Sequence, residues 1–164
     1  FAKHLGSDAK IIRAMPTTPA LVGKAITALC ANQNVTEAQK ASATALMEAF
    51  GKAVWVDEKN MDAVTAISGS GPAYVFLFLE ALTKAGINAG LDANIAKTIA
   101  EEMLHGSIHL AAKTGESFAQ LRKNVTSKGG TTEAALNVLM HDNALENLIA
   151  DAVQAAIIRA KSLA

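Results

Sequence analysis

The chain has 164 residues, of which 51% are hydrophobic and 18% are charged. That composition supplies enough apolar surface for a folded core and excludes a disordered tail. Fifteen basic and fifteen acidic residues cancel, so neither nucleic acid nor an anionic membrane is expected as the main partner, because both need a positive field. The single cysteine, Cys30, cannot form an internal disulfide and favours a cytoplasmic location.

The first third of the chain predicts a mixture of strands and helices. A short helix is expected to end at Gly6. Thr36 followed by Gln39 has the form of a capping box and predicts a helix that ends at Gly51. Ile, Val, Thr, Leu and Trp are typical of strands, and they predict three: residues 10–15, 24–31 and 52–57.

Beyond residue 60 the pattern predicts helices only. A helical stretch over 58–67 leads to the sequence SGSGP at 68–72, which predicts a turn, and Pro72 suits the first turn of the next helix. Capping residues predict where three of the later helices begin: Asp92, Ser117 and Asn143. A further helix is expected to begin at Thr131 and to run to about His141. The first of these helices is expected to end near Gly115.

One predicted helix is apolar on every side. Residues 75–79 are all large and apolar, so the segment AYVFLFLEAL (73–82) must be buried all round. The remaining helices are too few to surround it, so we expect a second copy of the chain to cover it in a homodimer, with a higher oligomer also open. The longest apolar run, 72–82, is too short to span a bilayer and is interrupted by Glu80.

Two motifs lack the parts that their chemistry needs. The sequence GSGPAYV resembles a dinucleotide-binding loop, but Tyr74 stands where the third glycine belongs, and a helical pattern precedes it instead of a strand. His105 and His109 have the spacing of a metal-binding pair on a helix, but neither the glutamate of the zinc-protease motif nor a third ligand accompanies them. We therefore predict no metal site.

The sequence TSKGGTTEAAL (126–136) has two interpretations. Glycines allow a close backbone approach to a ligand, and the N–H groups at a helix start favour an anion. Ser127, Thr131 and Thr132 add hydroxyl donors, which suits a carboxylate or a phosphate. Because Ser, Thr and Gly are also ordinary capping residues, a plain helix cap remains the alternative.

Three segments together resemble a known family. LRKNVTSKGGTTEAAL, AVTAISGSGPAYVFLFLEAL and IRAMPTTPALVGKAITAL are similar, in order and spacing, to motifs of pyrroline-5-carboxylate reductase. The resemblance implies a mainly α fold: residues 1–58 would be the last strands and helix of a Rossmann-type α/β domain, and residues 59–164 an all-α dimerisation and substrate-binding domain. It also implies that most of the dinucleotide-binding domain, with its glycine-rich loop, is missing from this sequence.

The resemblance implies the reaction as well: reduction of 1-pyrroline-5-carboxylate to L-proline with NADPH or NADH. Gly129, Gly130 and Thr131, with Ser127, would bind the substrate carboxylate. Thr132 would bind the ring nitrogen as the catalytic residue. Two further residues would touch the cofactor: Glu58 and Asn124. The isolated 164 residues are expected to be inactive.

Two positions depart from the family pattern. Lys128 replaces a proline before the glycines, and Thr17 replaces an asparagine in the sequence MPTTP. Two other functions remain open. The chain could be a helical oligomerisation module without chemistry, or it could belong to another NAD(P)-dependent dehydrogenase that acts on a hydroxy acid.

Overall fold

A computed structural model describes residues 5–163. The helix predicted before Gly6 falls largely on residues 1–4, which lie outside the described residues. The strands are β1 (Ile12–Met15), β2 (Ala25–Ala31) and β3 (Gly51–Trp55). The α-helices are α1 (Glu37–Glu48), α2 (Met61–Val64), α3 (Gly71–Asn88), α4 (Ala93–Thr114), α5 (Phe118–Asn124), α6 (Thr131–Met140) and α7 (Ala144–Leu163). The mainly α fold with three strands near its start is confirmed, and from residue 56 to 163 no strand occurs.

The three strands form one mixed sheet in the order β1-β2-β3. β1 pairs antiparallel with β2, and β2 pairs parallel with β3 through the crossover helix α1. The predicted capping box starts α1: the Gln39 N–H donates to the Thr36 hydroxyl, and the Gln39 side chain accepts from the Thr36 N–H. The core lies on β2, where Ala28 and Cys30 pack against Met61 of α2.

The turn predicted at SGSGP is wrong, because this segment is helical. Residues Thr65–Gly69 form a π-helical turn, in which the Ser70 N–H donates to the Thr65 carbonyl at 2.9 Å, and α3 follows at once. Widening the helix frees carbonyl groups. The Tyr74 hydroxyl donates to the Ala66 carbonyl at 3.1 Å. This side-chain donor stabilises the helical path that the Gly and Ser residues would otherwise disfavour.

The later helices start where predicted, at Ala93, Phe118, Thr131 and Ala144, but Asn143 does not cap the last of them. Asp92 caps α4, Gly115 ends it, and Ser117 caps α5. Asn143 has a φ of 56°, and the preceding Asp142 has a φ of 49°. An N-cap residue takes an extended backbone, so a left-handed Asn143 does not fill that role.

Contacts divide the described residues into two compact units. One runs to Tyr74 and resumes at Asp151, and the other extends from Val75 to Ala150. In the second unit only Ala96 and Ala100 are buried among the described residues. Phe76 and Leu77 of α3 are 60% and 65% exposed within one chain.

By length and composition alone, one helical stretch could cross a membrane. Glu58–Asn88 spans 31 residues, and an 18-residue window within it has a mean hydropathy of 1.2. The prediction from the sequence considered only the apolar run 72–82, which is too short to span a bilayer. The helical stretch is longer than that run because the segment SGSGP is helical and joins it to the preceding residues. The core helix of a soluble assembly passes the same test, so this length does not distinguish a membrane from a protein partner.

Candidate functional site

The glycine-rich sequence forms a tight turn between α5 and α6. The Gly130 N–H donates to the Ser127 carbonyl at 3.1 Å, and Gly129 takes a left-handed φ of 74°. A Cβ on Gly130 would lie 2.5 Å from the Ser127 hydroxyl oxygen. Gly129 is therefore required by its left-handed φ, whereas a Cβ on Gly130 would push the Ser127 hydroxyl aside and lie 3.1 Å from the Ser127 carbonyl oxygen.

The turn leaves several donors without a protein acceptor. Gly130 is the N-cap of α6, and Thr131 and Thr132 begin the helix. The first intrahelical bond to Gly130 comes from the Ala134 N–H, so the preceding N–H groups are the unpaired donors of a helix start. Among the described residues, the hydroxyls of Ser127, Thr131 and Thr132 have no hydrogen-bond partner. Gly130 caps α6 without a side-chain hydrogen bond, so none of these three hydroxyls is used by the cap.

Glu133 is a residue of this turn that the sequence interpretation missed. Its carboxylate accepts the Gly129 N–H at 2.7 Å, so a negative charge already lies against the turn. The signal was present in the sequence: an acidic residue three positions after a helix N-cap commonly reaches back to a backbone N–H. Lys128 in the same turn is exposed.

Asn124 lies at the end of α5 and is held by two side chains. Its carbonyl oxygen accepts from the Gln120 amide at 2.7 Å, and its own amide donates to the Glu116 carboxylate at 3.1 Å. Gln120 therefore does not complete a capping box with Ser117, although its N–H donates to the Ser117 hydroxyl at 3.2 Å. The Asn124 amide is fixed in direction by this network.

Glu58 belongs to a second cluster, just after β3. The Arg13 guanidinium donates to Oε1 of Glu58 at 2.7 Å, and the Cys30 thiol donates to Oε2 at 2.8 Å. These bonds, that of Cys30 first and that of Arg13 next, lower the pKa of the Glu58 carboxyl from its usual 4.5. Burial, aided by the Glu58 carboxylate, raises the pKa of the Cys30 thiol from 9.0 to about 11. Glu58 is thus ionised and Cys30 is a neutral donor at neutral pH.

The predicted residues fall into two groups, each in its own compact unit. Ser127, Gly129, Gly130, Thr131 and Thr132 share one turn in the unit Val75–Ala150, and Asn124 precedes that turn on the chain. Glu58 lies in the other unit. A π-helical turn and not a strand precedes Gly71, so the GSGPAYV sequence does not follow a strand as a dinucleotide-binding loop does.

A family match decides the identity. The sequence pattern described as pyrroline-5-carboxylate reductase dimerisation matches residues 58–163, well over half of the chain. The chain belongs to the pyrroline-5-carboxylate reductase family.

Relatives and solved structures of reductases cover nearly the whole chain. The pyrroline-5-carboxylate reductase of Synechocystis sp. is 47% identical over 156 residues, which are 95% of this chain and 58% of the relative. The reductase structure from Coxiella burnetii is 43% identical with a TM-score of 0.94, over 99% of this chain and 60% of that one. The Plasmodium falciparum pyrroline carboxylate reductase, solved with NADP bound, is 36% identical with a TM-score of 0.91, over 98% of this chain and 64% of that one. The chain thus spans somewhat less than two thirds of the length of these reductases.

One departure from the reductase pattern has a structural explanation. Thr17, where the resemblance expects an asparagine, is buried, and its hydroxyl accepts the Ile26 N–H at 3.1 Å. Threonine therefore ties the MPTTP segment to the start of β2. Nothing among the described contacts of Lys128 explains the replacement of proline.

Proposed function

We propose that the protein containing this chain reduces 1-pyrroline-5-carboxylate to L-proline with NADPH or NADH. The observation that carries the proposal is the glycine turn before α6, where three hydroxyls and the first-turn N–H groups have no protein acceptor. The chain's membership in the reductase family supports the same reaction. The relatives are named as pyrroline-5-carboxylate reductases, which are oxidoreductases.

The turn suits the carboxylate of the substrate. Because the Gly129 N–H is taken by the Glu133 carboxylate, the free backbone donors are the N–H groups of Thr131, Thr132 and Glu133. Together with the Ser127 hydroxyl they offer several hydrogen bonds to a small anion, and the helix dipole adds to the attraction. We assign Ser127 and the turn from Gly129 to Thr131 to carboxylate binding.

Thr132 is the residue we assign to the ring nitrogen. Reduction adds a hydride to the imine carbon and a proton to the nitrogen, so the C=N bond becomes a CH–NH bond. A hydroxyl donor at the nitrogen stabilises the charge that changes there and can supply or relay the proton. The Thr132 hydroxyl, which bonds to no other described residue, is available for this role.

Glu58 and Asn124 are the residues we assign to cofactor contact. The nicotinamide cofactor would supply the hydride. The ionised Glu58 carboxylate can accept from a hydroxyl or amide group, and the oriented Asn124 amide can both donate and accept. We propose that both contacts are peripheral to the cofactor, because these 164 residues contain no phosphate-binding glycine loop. Glu58 lies at the end of the α/β part (residues 1–58), and Asn124 lies in the helical part (residues 59–164).

We also propose that two copies associate through the helical part. The family match is to a dimerisation domain, and α3 leaves Phe76, Leu77 and Phe78 half exposed or more in a single chain. Burial of such side chains favours association.

Turnover separates the proposed reaction from its alternatives. The complete reductase that contains this sequence should oxidise NADPH or NADH in the presence of pyrroline carboxylate and form proline. It should not use 2-hydroxy acids with the oxidised cofactor. Turnover of a hydroxy acid alone would assign the protein to another class of dehydrogenase, and no turnover of either substrate would favour a module without chemistry.

Residues 1–164 alone should neither bind the cofactor tightly nor reduce the substrate. The pyrophosphate of a dinucleotide is normally held by the glycine loop, and two peripheral contacts are a weak substitute. Titration of NADPH into the purified chain, followed by fluorescence, tests this. Saturable micromolar binding would contradict the assignment of Glu58 and Asn124 as peripheral contacts.

A further inference from the structure

Arg13 and Cys30 lie opposite each other on neighbouring strands. They are register partners in the antiparallel β1–β2 pair, and directly opposed residues project from the same face of a sheet about 5 Å apart. Their donor groups reach the two oxygens of one carboxylate, that of Glu58, at 2.7 and 2.8 Å.

The three residues are far apart in the sequence. Glu58 is 45 residues from Arg13 and 28 from Cys30, so local chain geometry does not account for the cluster. Cys30 is 2% exposed and packs against Met61, which fixes its thiol close to the segment that carries Glu58. The carboxylate is the accessible member of the cluster, with a side chain that is 68% exposed.

Two donors on different oxygens fix both the plane and the charge of a carboxylate. Each oxygen of an ionised carboxylate has two acceptor sites, so Glu58 keeps one on each oxygen for a ligand. Because the Cys30 thiol stays protonated to about pH 11, it acts at neutral pH as a donor and not as a nucleophile.

We propose that Arg13 and Cys30 are positioning residues that orient Glu58 for its contact with the cofactor. This inference rests on the proposed function, because it requires that Glu58 touches the nicotinamide cofactor. It adds two residues, from β1 and β2, that act on cofactor binding only through Glu58. A purely structural cluster would instead tie β1 and β2 to the turn that carries Glu58, without any effect on the cofactor.

Steady-state kinetics of the complete reductase test the proposal. Cys30→Ala should raise the KM for NADPH about three- to tenfold, the effect of one lost hydrogen bond, while the KM for pyrroline carboxylate stays within twofold. Cys30→Ser keeps a donor at the same place and should restore the wild-type KM for NADPH. Arg13→Gln should raise the same KM by a similar factor, and Arg13→Lys, which keeps the charge, should raise it less.

A double-mutant cycle isolates the action through Glu58. Glu58→Ala should raise the KM for NADPH at least as much as Cys30→Ala, and Cys30→Ala should add nothing in the Glu58→Ala background. If Glu58→Ala raises this KM while Cys30→Ala and Arg13→Gln leave it unchanged, the positioning role is wrong and the Glu58 contact stands. If Glu58→Ala leaves it unchanged, the Glu58 assignment is wrong and the positioning role with it. Equal effects of Cys30→Ala and Cys30→Ser, or additive effects in the cycle, would also overturn the proposal.

Discussion

Two regions of the molecule bury their apolar side chains in different ways: the sheet with the segment packed on it up to Tyr74 (the sheet region), and the unit Val75–Ala150 (the helical unit). Within a single chain, Leu29 of β2 is 1% exposed, and Met61 and Ala66 are fully buried. The unit Val75–Ala150 buries only two alanines among its described residues, while the large side chains of α3 remain largely exposed. The sheet has a core that closes within one chain, whereas the unit Val75–Ala150 buries no large side chain among its described residues.

The contrast shows where the stability of each region comes from. Burying one large apolar side chain is worth about 1.5–3 kcal/mol, and α3 has five in succession. A fold that depends on a second copy gains stability with protein concentration, whereas a core closed within one chain does not. The two regions should therefore respond differently to dilution and to mutation.

The largest effect is expected from a charge on α3. Phe76→Asp should abolish assembly and, with it, cooperative folding of the helical unit, because a buried, unpaired carboxylate would face the partner. Light scattering of the wild-type chain should give twice its 17.0 kDa mass, and the variant should lose this species. A folded wild-type monomer at low micromolar concentration would refute the dimer.

A matched variant in the sheet region provides the control. Leu46 of α1 is 61% exposed, nearly the same as Phe76 at 60%. If the single chain already shows the true environment of α1, Leu46→Asp should leave assembly intact and change the free energy of unfolding by less than about 1 kcal/mol. Equal damage from both variants would remove the distinction between the two regions.

The second effect concerns the closed core. Gly51 pairs with Ala25 across the parallel ladder, and a Cβ at Gly51 would overlap the Ala25 backbone. Because a backbone cannot move aside as a side chain can, Gly51→Ala should destabilise the protein by about 3 kcal/mol, measured by urea unfolding.

Gly71 is the control for Gly51, and it also tests whether a second copy of the chain contacts the start of α3. A Cβ at Gly71 meets no atom within 4 Å in one chain, so Gly71→Ala at the start of α3 should be neutral or slightly stabilising. A loss above about 1 kcal/mol that grows on dilution would instead indicate that the partner approaches closely at this glycine.

Local signals in the sequence predicted most of the elements. The capping box at Thr36, the strands and the cap at Asp92 depend on neighbouring residues, and all were confirmed. The turn at SGSGP was wrong because the Tyr74 hydroxyl, four residues beyond Ser70, satisfies a carbonyl of the widened helix. Helix propensity takes account of the glycines and serines in SGSGP, but it does not include a hydrogen bond from the Tyr74 hydroxyl.

The candidate site was predictable only in part, because its second cluster depends on strand register. No spacing in the sequence shows that Arg13 lies opposite Cys30 or that both reach Glu58. The turn at Ser127 was found because glycines and hydroxyls lie together in the sequence, and Glu133 was missed although its position was visible. The roles of Thr132 and Ser127 came from resemblance and stay predictions.

The third effect is catalytic and lies in the helical unit. In the complete reductase, Thr132→Ala should lower kcat/KM about ten- to a hundredfold, since a lost hydrogen bond to a charged or charging nitrogen is worth about 1.5–3 kcal/mol. A residue that only caps a helix would instead cost about 1 kcal/mol of stability and leave the kinetics nearly unchanged. Steady-state rates and melting temperature, measured together, separate the two roles.

Two further variants sharpen this assignment. Thr132→Ser keeps the donor and should recover much of the rate. Ser127→Ala should act mainly through the KM for pyrroline carboxylate, because a carboxylate is bound alike in the ground state and the transition state. If the Thr132→Ala enzyme has an unchanged kcat/KM and a lower melting temperature, the catalytic role of Thr132 is wrong and the turn is only a helix cap.

The smallest effect is the pH dependence of the closed core. The pKa of the Cys30 thiol is about 11 in the folded protein, whereas that of a cysteine free of the fold is 9.0. Between pH 9 and pH 11 the unfolded chain therefore loses a proton that the folded chain keeps. Ionisation then favours the unfolded state, and stability present below pH 9 is lost as the pH rises. At pH 10 the loss in the free energy of unfolding should be about 1.4 kcal/mol relative to pH 7.

Urea unfolding of the wild type and of Cys30→Ser, at fixed protein concentration, measures this loss. The wild type should lose more stability between pH 7 and pH 10 than Cys30→Ser, because the serine hydroxyl does not titrate in this range. Parallel pH profiles for the two proteins would show that Cys30 is less isolated from water than its place beneath Met61 implies.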